Sequence, residues 1–86
     1  MLYRIYTENK NREQVVELVA KRFDGFTVFE AEGYWKGQQE RSLIIEIVPN
    51  IKYPEYKIEG LALDIRTLNQ QESVLIQQVE CESWLV

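Results

Sequence analysis

Few side chains in this sequence can do chemistry, and most of them fall in two neighbouring segments. Glu30 and Glu32 lie two residues apart within residues 26–35, and Glu46 follows in residues 41–48. Paired carboxylates can raise one another's pKa and act as acid and base, or bind a hard cation such as Mg²⁺ or Ca²⁺. The plainer reading is that these three pair across strands or subunits with Arg4, Arg41 and Lys36 and set the register of association. Gly33-Tyr34-Trp35 offers either a ligand-stacking wall or a Trp35 that caps the core, with Gly33 admitting a close backbone. Gln71-Glu72-Ser73 brings acceptors and a hydroxyl, or simply a polar turn whose side chains bond local backbone. Cys81 reads as a small buried hydrophobe, with no base or cation beside it in the sequence to activate its thiol.

Composition removes most other chemistries. The 86 residues contain no His and one Cys, which excludes Cys-His pairs, Ser-His-Asp triads and zinc sites of the usual ligands. The four glycines are scattered, so neither a Walker-type phosphate loop nor a dinucleotide-binding turn is present. Neither a metal nor a cofactor is expected, and no catalytic residue is assigned. Ten Lys and Arg stand against fourteen Asp and Glu, a net charge of −4 that gives no attraction for phosphate backbones or anionic membranes. Tyr6 and Tyr34 would otherwise invite comparison with RNA-recognition domains, which stack bases on sheet aromatics. Three Glu assigned to the same face, and no basic-aromatic signature, argue against it. Nucleic acid and membrane are therefore not expected partners. The N-terminal residues carry no basic leader followed by an apolar block, and a single Cys makes no intramolecular disulfide, so the expected compartment is the cytoplasm.

The elements that must position these groups follow from periodicity. Apolar content of 45% with 28% charged residues is that of a chain that folds, and its length suits one domain, residues 1–86. Residues 2–7 read as a strand. Asn11 and Gln14 form a candidate capping box for a helix that buries Val15, Val16, Leu18, Val19 and Phe23 and ends at Gly25. Residues 26–35 alternate, with Phe29, Ala31, Gly33 and Trp35 on one side and Val28, Glu30, Glu32 and Tyr34 on the other. A turn at Lys36-Gly37-Gln38-Gln39 leads to a second alternating run over residues 41–48 that turns Leu43, Ile45 and Ile47 inward. Pro54 opens a second helix striped by Ile58, Leu61, Ala62, Ile65 and Leu68 and stopped at Asn69. Residues 73–86 read as a last strand, with a bulge expected near Gln77-Gln78 because its parity changes there.

Strand, helix, strand, strand, helix, strand in so short a chain predicts an α+β, ferredoxin-like βαββαβ sandwich, an antiparallel four-stranded sheet with two helices on one face. The other face is left bare. Leu2, Arg4, Tyr6, Val28, Glu30, Glu32, Tyr34, Ile44, Glu46 and Val48 are assigned to it, with Ile76 and Trp84 joining if the last strand holds its register. Such a face is too apolar to be merely solvated, and it predicts a homodimer or higher homo-oligomer packed sheet to sheet.

The strand Thr27-Val28-Phe29-Glu30-Ala31-Glu32-Gly33-Tyr34-Trp35, the aliphatic run Leu43-Ile44-Ile45-Glu46-Ile47-Val48 and the segment Gln71-Glu72-Ser73-Val74-Leu75 resemble an uncharacterised family of small bacterial proteins. Its members carry a T-V-x-x-A-x-G-x-W strand and a Q-E-S-V-L entry into the last strand. The resemblance implies a ferredoxin-like fold of the general kind seen in nitrogen-regulatory PII proteins and dimeric alpha-beta barrel proteins, and it brings no established activity. The expectation is thus a non-enzymatic, oligomeric module that binds a partner protein or a small molecule, such as an accessory protein of a mobile element. The candidate contact residues are Tyr6, Glu30, Glu32, Tyr34, Trp35, Glu46, Glu72 and Ser73. The alternative is a cofactor-free enzyme of the dimeric alpha-beta barrel type, which would need a pocket lined by Trp35, Glu72 and Tyr3.

Overall fold

A computed structural model describes residues 1–86. β1 (Leu2–Glu8), α1 (Arg12–Ala20), β2 (Thr27–Trp35), β3 (Gln38–Ile47), α2 (Glu55–Asn69) and β4 (Leu75–Val79) follow one another along the chain. The four strands form one sheet in the order β2-β3-β1-β4, and every neighbouring pair is antiparallel. This is the ferredoxin-like arrangement expected from the element order, with each helix crossing over between strands that are not adjacent.

Both helices lie on the sheet face where the central strands present Tyr3, Ile5, Leu43, Ile45 and Ile47, all buried. Tyr3 and Ile5 of β1 and Ile45 and Ile47 of β3 meet Val15 and Val19 of α1, Phe23 just after it, and Ile58, Leu61 and Ile65 of α2 in one core cluster. Burial of each such aliphatic side chain contributes about 1.5–3 kcal/mol. Arg22 Nη2 reaches Asp64 Oδ2 at 2.7 Å, joining the segment after α1 to the middle of α2 at the rim of that core.

Three local expectations give way to tertiary contacts. Asn11 does precede α1, yet it adopts a left-handed conformation and makes no side-chain cap; its amide instead donates to Asn69 Oδ1 at 3.0 Å. α1 ends four residues before Gly25, at a right-handed Lys21 whose N–H bonds Glu17 O, so the glycine is not the stop signal. β4 is five residues long, and it carries no bulge: its register with β1 runs without interruption from Tyr6 opposite Leu75 to Leu2 opposite Val79. It stops there because β1 begins at Leu2, and residues 80–86 have no strand to pair with.

The largest correction concerns β2. Lys36 (φ 51°) and Gly37 (φ 78°) are the two central residues of a tight hairpin, both with the positive φ that a type I′ turn requires. That turn sets Trp35 opposite Gln38 and, counting back, Val28 opposite Ile45 and Glu30 opposite Leu43. Directly opposed residues share a face. Val28, Glu30, Glu32 and Tyr34 therefore take the helix-side parity, while Phe29, Ala31, Gly33 and Trp35 take the open side, the reverse of the expectation. Ile76, opposite Ile5, is also on the helix side.

Candidate functional site

The uncovered sheet face is the most distinctive surface of the molecule. β1 contributes Leu2, Arg4 and Tyr6, β3 contributes Ile44 and Glu46 with Val48 just beyond, and β4 contributes Leu75, Gln77 and Val79. β2 adds Phe29, Ala31 and Trp35. At Gly33 on this face a Cβ would lie 3.1 Å from Ser42 Oγ, so the absence of a side chain leaves room for the Ser42 hydroxyl. Phe29, Val48, Leu75 and Trp35 are exposed. In the middle of this apolar ground Arg4 Nε donates to Glu46 Oε2 at 2.9 Å. That hydrogen bond raises the Arg4 pKa; desolvation opposes it, and the Glu46 charge and Tyr6 reinforce it.

At one end of the face a groove of about 520 Å³ runs between the sheet and residues 83–85. Leu2, Phe26 and Val48 form its apolar floor, Thr27 and Glu46 its polar edge, and Trp84 and Leu85 a wall. The terminal segment reaches it after the Met1 ammonium donates to Cys81 O at 2.9 Å. Cys81 itself is exposed, not the buried hydrophobe its strand-like surroundings imply, because β4 has already ended.

The sequence-nominated residues are divided among several places. Tyr6 and Glu46 lie on the open face as expected. Glu30 and Glu32 do not join Glu46: Glu30 Oε1 accepts from Arg12 Nη1 of α1 at 3.2 Å, and Glu32 stands opposite Arg41 on the projecting hairpin. With Asn9 and Ala31 they line a separate polar cleft of about 340 Å³. No group of three or more Cys, Asp or Glu comes together as a cation site. Trp35 does not cap the core; it is 65% exposed near the hairpin tip, with Lys36 Nζ 5.7 Å from its ring centre, and Tyr34 is exposed beside it. Glu72 and Ser73 are exposed in the α2–β4 connection, where Ser73 O accepts from Gln71 Nε2 at 3.4 Å.

Trp35, Glu72 and Tyr3 share no pocket. Tyr3 is opposite Ile47 and Trp35 opposite Gln38, which places them at the two ends of β3, about 30 Å apart at strand rise. Tyr3 belongs to the core, where its hydroxyl donates to Glu55 Oε1 at 3.4 Å; burial, and secondarily the Glu55 charge and hydrogen bond, push its pKa up.

Sequence reasoning missed one polar cluster altogether. Asn69, nearly fully buried, donates to Thr7 Oγ1 at 3.2 Å and to Gln71 Oε1 at 3.1 Å, and Thr7 donates in turn to Gln71 Oε1. A signal was present: Thr7 has the inward parity of Tyr3 and Ile5, and Asn69 lies four residues after Ile65 on the buried stripe of α2.

Fold and surface together define a ferredoxin-like α+β domain with an uncovered apolar sheet face. Among solved structures, the chain is similar to a DUF3240 family protein from Shewanella baltica OS155, with a TM-score of 0.69 and 13% identity over 99% of this chain and 94% of that one. At that identity the likeness is one of fold, and the neighbour belongs to an uncharacterised family of small proteins. No protein-family model and no curated protein matches this sequence. No helix is long and apolar enough to cross a membrane.

Proposed function

We propose that this chain is an assembly and binding module without catalytic machinery, whose copies pack through the open sheet face. One observation carries the reading: the molecule exposes more surface than a compact chain of its mass. Its accessible surface is 6460 Å², against roughly 5300 Å² for a folded 10.2 kDa monomer, an excess of roughly 1100 Å². A standard stable interface removes about 800 Å² per partner. The projecting hairpin and residues 80–86 account for part of the excess, and the apolar face supplies the area that association would bury. Tyr6, Ile44 and Phe29 are its apolar centre, and the Arg4–Glu46 pair its polar mark. A partner protein or small molecule would be met on this face or on the hairpin tip with Tyr34 and Trp35; an accessory protein of a mobile element is one setting for such a module.

Light scattering coupled to size exclusion tests the reading. The expected result is a mass of two or more chains at micromolar concentration, falling to one chain on dilution or on substitution of Ile44 by Asp. A single-chain mass at all concentrations overturns it.

A further inference from the structure

We infer that the groove at the end of the open face is a docking site for the terminal segment of a second copy, with Trp84 of one chain seated on Leu2, Phe26 and Val48 of the other. The inference rests on the sheet-to-sheet reading above and assigns its occupant. Trp84 is 76% exposed and Leu85 fully exposed, so the segment forms one wall of its own groove without burying the side chains best able to stabilise it there. Residues 80–86 take no helical or strand conformation, and they are tied at their start by the bond from Met1 to Cys81 O. Their apolar residues therefore gain little from the chain that carries them.

The reach is sufficient for exchange. From Cys81, where the segment is tied, Trp84 lies three residues on, about 10 Å of extended chain, which matches the spacing of about 10 Å between packed sheets. Each copy carries both the indole and the groove, which is the self-complementarity a twofold pair needs, and exchange of identical segments is a low-cost route to such a pair. The apolar floor of Leu2, Phe26 and Val48, vacated by its own chain's residues 83–85 on exchange, meets the indole ring. Its edge, Thr27 and Glu46, offers oxygen acceptors for the indole N–H, which needs a partner once water is excluded. The alternative arrangement, in which the segment stays on its own sheet, leaves Trp84 lining the groove of its own chain at every concentration.

The test uses the full chain labelled with 5-fluorotryptophan, which has two fluorine resonances, from Trp35 and Trp84, assigned with Trp84→Phe. The expected result is that the Trp84 resonance moves with protein concentration in step with the mass from light scattering. Trp84→Ala and Val48→Ser should each weaken association, the former by about tenfold or more. Together they should cost less than the product of the two, since each removes one side of the same contact. Val48 is exposed on a single chain, so its replacement leaves folding intact. A Trp84 resonance that stays fixed while the mass doubles overturns this inference and leaves sheet-to-sheet association standing. Single-chain mass throughout overturns both.

Discussion

Arg4 and Glu46 stand directly opposite each other on the two central strands and join at 2.9 Å on the face that no helix covers. Partly exposed pairs of this kind contribute about 0–1 kcal/mol to folding, so the pair adds little to the stability of the single chain. Replacing Glu46 by Arg puts two guanidinium groups side by side at its centre. The expected outcome is loss of association in sedimentation velocity at micromolar concentration, with the midpoint of urea unfolding of the single chain changed by no more than that small contribution.

Ile44 and Ile45 are neighbours in sequence with opposite duties. Ile45 is fully buried among the helices, and Ile45→Ala should cost about 2–5 kcal/mol, read from urea unfolding. Ile44 points to the open side. Ile44→Asp should leave a cooperatively folded chain by circular dichroism and yet abolish the oligomer, a separation that no uniform loosening of the fold would produce.

The Asn69 cluster joins the ends of β1 and α2 to the entry of β4 and the start of α1. Asn69→Leu removes the bonds that its amide donates to Thr7 and Gln71 and the one that its oxygen accepts from Asn11, while Thr7 still donates to Gln71. Each lost bond contributes about 0.5–1.5 kcal/mol, so the variant should be destabilised by about 1–3 kcal/mol. Hydrogen exchange should then report the loss in β1 and β4 together; an effect confined to the last turn of α2 would contradict the proposed coupling.

Tyr3 predicts a pH dependence. Its folded pKa is raised above the ordinary value near 10, so the folded chain holds the phenolic proton longer than the unfolded one. The corresponding stability is whole below about pH 10 and is lost as pH rises through the raised value. Urea midpoints at about pH 8 and about pH 11 should converge between wild type and Tyr3→Phe, because only the wild type has a buried phenol to ionise. Parallel losses in both proteins would assign the alkaline effect to other groups.

Much of the fold could be read directly from residue order. The stripes Val15-Val19 and Ile58-Leu61-Ile65 determine two amphipathic helices, and the alternation of Leu43, Ile45 and Ile47 determines the inward face of β3, because helix and strand periods are local properties of the backbone. β2 shows the limit. Val28 and Tyr34 on one parity are balanced by Phe29 and Trp35 on the other, so alternation alone does not say which set is inward. The two-residue turn at Lys36-Gly37 resolves it by pinning Trp35 to Gln38, and a register counted from that turn against inward Ile45 would have turned Val28 inward and moved Glu30 and Glu32 away from Glu46. The end of β4 had no such local cue: residues 80–86 have strand-like composition, but a strand needs a neighbour, and β1 begins only at Leu2. Residue order by itself therefore determined the elements, their faces where one parity is plainly apolar, and the exclusion of Cys-His pairs and Ser-His-Asp triads. Tertiary structure alone decided that Asn11 bonds Asn69 instead of capping its own helix, and that an unpaired terminal segment comes to lie beside a groove, because these depend on which distant residues meet, a relation that no local period encodes.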